Sequence, residues 1–189
     1  MNQYKFQDLI NEDPKFKKLE AKYHLSVKYH ATTHRLKLSL EYLNTAIERL
    51  RINDIFIYKT CLEMSIITYA ACFNNSKSLL KDNYIPVNNI LKDDLELIKL
   101  HEKIKYYRDK IIAHQDKVKE LDYDIYIIQE DDSIEFEFPF LLKLEITNAE
   151  LDNFKKIIVE VHDYLDLKRQ THDEQLKKDV KTILLFNKS

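Results

Sequence analysis

"KDDLELIKLHEKIKYYRDKIIAH", residues 92–114, decides the fold. Leu97, Leu100, Ile104, Tyr107 and Ile111 recur at spacings of three and four, so they line one face of a helix, and His114 falls at the end of that stripe. The same rhythm recurs on either side. From Thr33 to Arg51 it is carried by Leu36, Leu40, Leu43, Ile47 and Leu50. Asn53 and Asp54 are suited to cap a next helix running to about Leu80, whose middle, "CLEMSIITYAACF", is apolar nearly all round and is expected at the centre of a bundle. Thr147 and Glu150 form a capping-box pattern ahead of Leu151, Phe154, Ile158, Val161 and Leu165. A final polar helix is predicted over Asp173 to Phe186, and residues 4–24 read as short helices broken at Pro14, with Asp13 as cap.

The expected fold is therefore mainly α, an antiparallel helical bundle. One stretch departs from it: "YDIYIIQEDDSIEFEF", residues 123–138, switches to two-residue alternation and reads as a small β-hairpin insertion. The expected organisation is an N-terminal helical extension over 1–30, a bundle over 31–170 that includes the acidic hairpin of 120–140, and a C-terminal polar helix over 171–189.

Composition narrows the function. The chain has 189 residues, 44% of them hydrophobic and 33% charged, enough for a core without metal or disulfide staples. It has no glycine, so left-handed turn positions fall to Asn and Asp, and P-loops and dinucleotide fingerprints, which need glycine for close approach to phosphate, are excluded. Cys61 and Cys72 are read on one helix about 16 Å apart, too far for a disulfide, and behave as small hydrophobes. No apolar targeting segment opens the chain and no run approaches a membrane span, so a cytoplasmic protein with no membrane partner is expected. The net charge is −2, yet Lys99 to Lys119 holds seven basic residues against three acidic, and Glu120 to Glu137 holds eight acidic and none basic. That pattern fits either a solvated face or a binding surface.

Arg108 and His114 are the chemically interesting pair. On a regular helix they lie about 120° apart, whereas Tyr107 and Lys110 share the face of His114. Periodicity alone favours His114 as a half-buried residue at a helix C-terminus, and Arg108 and Asp109 are equally plain as surface ion-pair members, Asp109 with Lys105 one turn back. Glu63 is the only charge between Cys61 and Phe73; it either orients Arg108 or the imidazole, or faces a solvent gap. His30 and His34, one turn apart, have no further Cys or His cluster to complete a zinc site, so no metal is expected. His24, His101, His162 and His172 stand in polar or mixed surroundings and carry no signal.

The stretch "RDKIIAHQD" resembles the motif of HEPN domains, compact helical bundles marked by an arginine, a polar residue and a histidine after a gap of four to six; the gap here is five. It is most similar to the abortive-infection, toxin-like branch. The likeness covers mainly residues 33–114 and the helix of 148–168. It implies a metal-independent endoribonuclease, without cofactor, that acts as a homodimer on RNA in a toxin–antitoxin or phage-defence setting, with a cognate antitoxin protein as partner. Cleavage through the RNA 2′-hydroxyl needs a base, an acid and positive charge on the phosphorane. Two copies of the motif across a two-fold axis supply two histidines and two arginines. In that reading His114 is base or acid, Arg108 holds the phosphate, Lys103 and Lys110 bind flanking phosphates, and Asp109, Lys110, Tyr107 and Glu63 support the site. Asp116 stands where tyrosine-regulated members carry their tyrosine, so that control is not expected here. The alternative implied by the family is a catalytically inactive dimeric module for protein interaction or nucleotide binding.

Overall fold

The computed structural model describes residues 5–73, 85–112, 126–130, 133–137 and 146–186. Its elements are α1 (Phe6–Glu12), α2 (Pro14–Lys17), α3 (Glu20–Arg51), α4 (Ile55–Ala70), α5 (Val87–Ile90), α6 (Leu95–Tyr106), a π-helix (Tyr107–Ile112), β1 (Tyr126–Glu130), β2 (Ser133–Glu137) and α7 (Asn148–Phe186). The protein is mainly helical.

Caps fix most of the boundaries. Asp13 accepts from the Lys15 N–H ahead of Pro14, Asp54 accepts from Ile57, and Asp94 accepts from Glu96 and Leu97, so α6 starts at Leu95 rather than at Lys92. Without glycine, the positive-φ positions among the described residues fall to Asn53, Asp93 and also Lys92, a less tolerant residue for that conformation. The capping box closes as expected: the Thr147 N–H donates to Glu150 Oε2 at 2.8 Å, and the Glu150 N–H donates to Thr147 Oγ1 at 3.2 Å.

Four long elements run alternately up and down. Ser39 on α3 and Ser65 on α4 each donate to the other's carbonyl at 2.9 Å, and both are fully buried, so small side chains let these antiparallel helices approach closely. Lys22 reaches Asp179 at one end of the α3–α7 pair and Ile47 lies beside Leu151 at the other, which makes α7 antiparallel to α3. Lys103 to Glu150 and Glu96 to Asn153 set α6 antiparallel to α7. Between them lies one core, in which Leu36, Leu43, Ile66, Ile104, Phe154 and Ile158 are fully buried. β1 and β2 form an antiparallel pair, with Tyr126 opposite Glu137 and Glu130 opposite Ser133.

Three expectations are corrected. The domain boundaries drawn at 30/31 and 170/171 fall inside α3 and α7, which continue as helices of 32 and 39 residues because neither contains proline or glycine to stop it. The N-terminal helices are not a separate extension: Ile10, Phe16 and Leu19 form a small second core against Leu176, Val180 and Ile183 of α7. Nor is α4 buried all round. Leu62, Ser65, Ile66 and Tyr69 face the core, but Met64 is 38% and Phe56 78% exposed, so one apolar flank faces out. Helix α4 ends at Ala70 and Cys72 lies in the turn beyond it; both cysteines are free.

Candidate functional site

The stripe of α6 buries Leu97, Leu100 and Ile104, and it ends in Tyr107, which is 7% exposed and part of the main core. At Tyr107 the helix changes. From there to Ile112 it is wound as a π-helix, with hydrogen bonds reaching five residues back instead of four. The wider turn removes the regular-helix geometry expected for the motif. Arg108 and Asp109 sit on this segment, which packs against α4. The side chain of Lys110, and His114 altogether, lie outside the described residues.

The altered winding shows in the pairings. Asp109 does not meet Lys105; its Oδ1 accepts from Arg108 Nη1 at 2.7 Å, while Lys105 bonds Glu102 one turn earlier at 3.0 Å. A π-turn moves the residue four back out of line with its partner, which accounts for the change. The Arg108 side chain remains about one-third exposed.

Lys103, whose side chain is about as exposed as that of Arg108, is paired across the bundle. Its ammonium bonds Glu150 Oε1 at 2.7 Å and lies 5.8 Å over the Tyr107 ring. Burial alone would lower its pKa, but the bond to Glu150 and the neighbouring Tyr107 hold it above the ordinary lysine value. The reciprocal holds for Glu150: burial works upward, and the bonds from Lys103 and Thr147 bring the carboxyl below its usual range. Glu150 thus caps α7 and ties it to the residue four before Tyr107. That double duty was half legible in sequence, as the capping box; the lysine was not.

Glu63 is half-buried on α4. Burial raises its carboxyl above the ordinary value, with the Lys59 ammonium pulling the other way. That charge neighbour lies on its own helix one turn back. The structure therefore gathers Tyr107, Arg108, Asp109 and Lys103 at the α6–π junction, and places Glu63 on the helix packed against it.

His101, taken from sequence as carrying no signal, is 3% exposed. Its Nδ1 lies 2.7 Å from the Tyr69 hydroxyl and its ring packs edge-on against Tyr69 and Phe73. Burial drives the Tyr69 hydroxyl well above its ordinary pKa, so it stays protonated and donates. The imidazole is pushed down to about 4 by burial, then by Lys105, and is neutral. The available signal was its position four after Leu97 and three before Ile104, inside the buried face. His162 meets Asp163 at 3.0 Å, and His172 Nε2 lies 2.8 Å from the Lys22 carbonyl.

His30 Nε2 pairs with Asp173 at 2.9 Å. Among the described residues no group of three or more His, Cys, Asp or Glu side chains is placed to hold a metal ion, and no helix is long and apolar enough to cross a membrane. Compared with protein families, with curated proteins and with solved structures, the chain matches none.

Proposed function

We propose that the chain is a HEPN-type endoribonuclease that works as a homodimer in the cytoplasm, cleaving RNA through its own 2′-hydroxyl without a metal, in a defence or toxin–antitoxin setting. The observation that carries this reading is the placement of the motif arginine. Arg108 lies partly exposed on a π-helix, a rare winding that is frequent at functional sites, at the end of a bundle helix and against a second helix. In this reading Arg108 holds the scissile phosphate and His114 moves the proton to or from the 2′-hydroxyl or the leaving oxygen. Lys103 is already neutralised by Glu150, so flanking phosphates fall to Lys110.

The homodimer has its own support. Helix α4 is mostly apolar, Lys59 and Glu63 being its only charges, yet buries one flank, and it packs on the π-helix. A second copy seated on Phe56 and Met64 would cover that flank, on the helix against which the segment of Arg108 packs. The test is the dependence of specific activity on protein concentration: cleavage per chain should rise with the dimer fraction measured by ultracentrifugation. Cleavage per chain that stays constant while the dimer dissociates overturns the composite site.

One observation favours the second reading, a catalytically silent interaction module. The Arg108 guanidinium is bonded by its own neighbour Asp109 at 2.7 Å, which weakens its pull on phosphate. Asp109→Asn separates the two: a nuclease gains activity or holds it, and a silent module shows none in either form.

A further inference from the structure

The sequence marked residues 171–189 only as a polar helix, and nothing in the nuclease reading uses that end of the molecule. Cys72 reaches the Thr32 carbonyl, so α4 ends about level with Thr32. Beyond that level α3 and α7 continue as a pair, with the small core of α1 and α2 packed against α7 there. An open groove of about 830 Å³ remains, running along α7 from Arg169 to Leu185, a length of about 24 Å.

The groove has a fixed polar end and an apolar floor. At the polar end Asp173 accepts from Ser26, from His30 at 2.9 Å and from Arg169 at 3.3 Å. Burial alone would raise this carboxyl, but the bonds from Ser26 and His30 hold it below the usual range, so its charge is committed to internal donors. Leu176, Val180 and Leu184, spaced by one turn each, make the floor, and Leu184 is 50% exposed although Val180 and Ile183 of the same helix pack against the small core. Lys177 and Lys181, one turn apart, line the same groove and are exposed. Neither is in an ion pair among the described residues. The groove therefore presents an apolar stripe flanked by two uncompensated cations at helical spacing.

We infer that this groove is a docking site for an amphipathic helix of a partner protein, whose apolar stripe lies on Leu176, Val180 and Leu184 and whose carboxylates, spaced one turn apart, meet Lys177 and Lys181. Charge complementarity selects an acidic occupant, because the one acid among the described lining residues is already satisfied. The open length selects a helix of about 16 residues over a lipid tail, which needs enclosure to be buried. Phe6 and the His30 imidazole are the aromatic rings among the described lining residues, and His30 is held by Asp173, so the groove lacks the run of stacking platforms of a single-stranded RNA site. The inference stands apart from the nuclease reading and does not depend on it.

The probe is a fluorescein-labelled, helix-constrained peptide of about 16 residues, with leucines at i, i+4, i+7 and i+11 and glutamates flanking them one turn apart, compared with a counterpart carrying lysines in place of the glutamates. Anisotropy titration of the full chain is expected to give micromolar binding of the acidic peptide and roughly tenfold weaker binding of the basic one. Lys177→Glu/Lys181→Glu is expected to invert that preference. Both positions are exposed, so the fold is kept, and circular dichroism confirms it. Leu184→Asp, at a third exposed position, is expected to weaken the acidic peptide roughly tenfold with no inversion. Equal binding of both peptides, no binding of the acidic one at millimolar protein, an unchanged preference in the double variant, or displacement by dodecanoate or polyuridine each overturns the inference.

Discussion

His101 gives the sharpest prediction about the fold. It sits at 3% exposure with its pKa at about 4, against an ordinary value of 6.5. As pH falls, the unfolded chain binds this proton first and the folded chain resists it. Stability is therefore complete above about pH 6.5 and is lost as pH falls toward 4. Each tenfold difference in proton affinity corresponds to about 1.4 kcal/mol, so the loss is about 2 kcal/mol by pH 5 and about 3 kcal/mol by pH 4. For a chain of this size 2 kcal/mol lowers the melting temperature by about 4–8 °C. The carboxylates of Glu150 and Asp173 also lose stability in acid, but they lie below their ordinary values of 4.5 and 3.8 and contribute mainly under pH 5. The assay is thermal unfolding by circular dichroism at pH 7, 6 and 5, comparing wild type with Tyr69→Phe/His101→Leu, which removes donor and acceptor together. The wild type is expected to lose those degrees between pH 7 and pH 5 while the double variant changes little. Parallel losses in the two proteins refute the assignment of a neutral buried imidazole.

Further outcomes follow from single contacts. Glu150→Ala removes the cap of α7 and the partner of Lys103 together; a loss of about 1–2 kcal/mol in urea denaturation is expected, and a change under 0.5 kcal/mol contradicts the double role. Ser39→Leu forces bulk between α3 and α4 where both serines are fully buried, and should cost about 1–3 kcal/mol by the same measurement, whereas an unchanged midpoint would mean the helices have room to part. Phe56→Glu, at 78% exposure, should leave unfolding of the single chain within about 0.5 kcal/mol while shifting the sedimentation of the proposed dimer to monomer; unchanged sedimentation contradicts a two-fold contact on Phe56.

The helices were legible because burial and periodicity are the same fact seen twice. Leu97, Leu100 and Ile104 repeat every three or four residues, and all of them are in the core. Caps were legible for the same local reason: Asp54, Asp13 and the Thr147–Glu150 pair each act within four residues of themselves. What periodicity could not reach was long-range pairing. Asp173 with His30, 143 residues away, and Lys103 with Glu150, 47 away, are set by which helix faces which, and no local pattern encodes that. Uniform apolarity misled for α4, since a helix with no polar face can be central or can wait for a partner, and Phe56 shows the outer flank uncovered. The π-helix was the other miss. "YYRDKII" has no proline, glycine or other breaker, so its sequence reads as regular helix, and the change of winding moves Asp109 from Lys105 to Arg108.

The central proposal, that Arg108 and His114 cleave RNA, is tested most directly by incubating purified protein with single-stranded RNA in EDTA and identifying the product ends. Wild type is expected to cut and leave 2′,3′-cyclic phosphates, with Arg108→Ala and His114→Ala slower by about 100-fold or more. Equal cleavage by all three proteins, or intact RNA with the wild type as dimer, contradicts it.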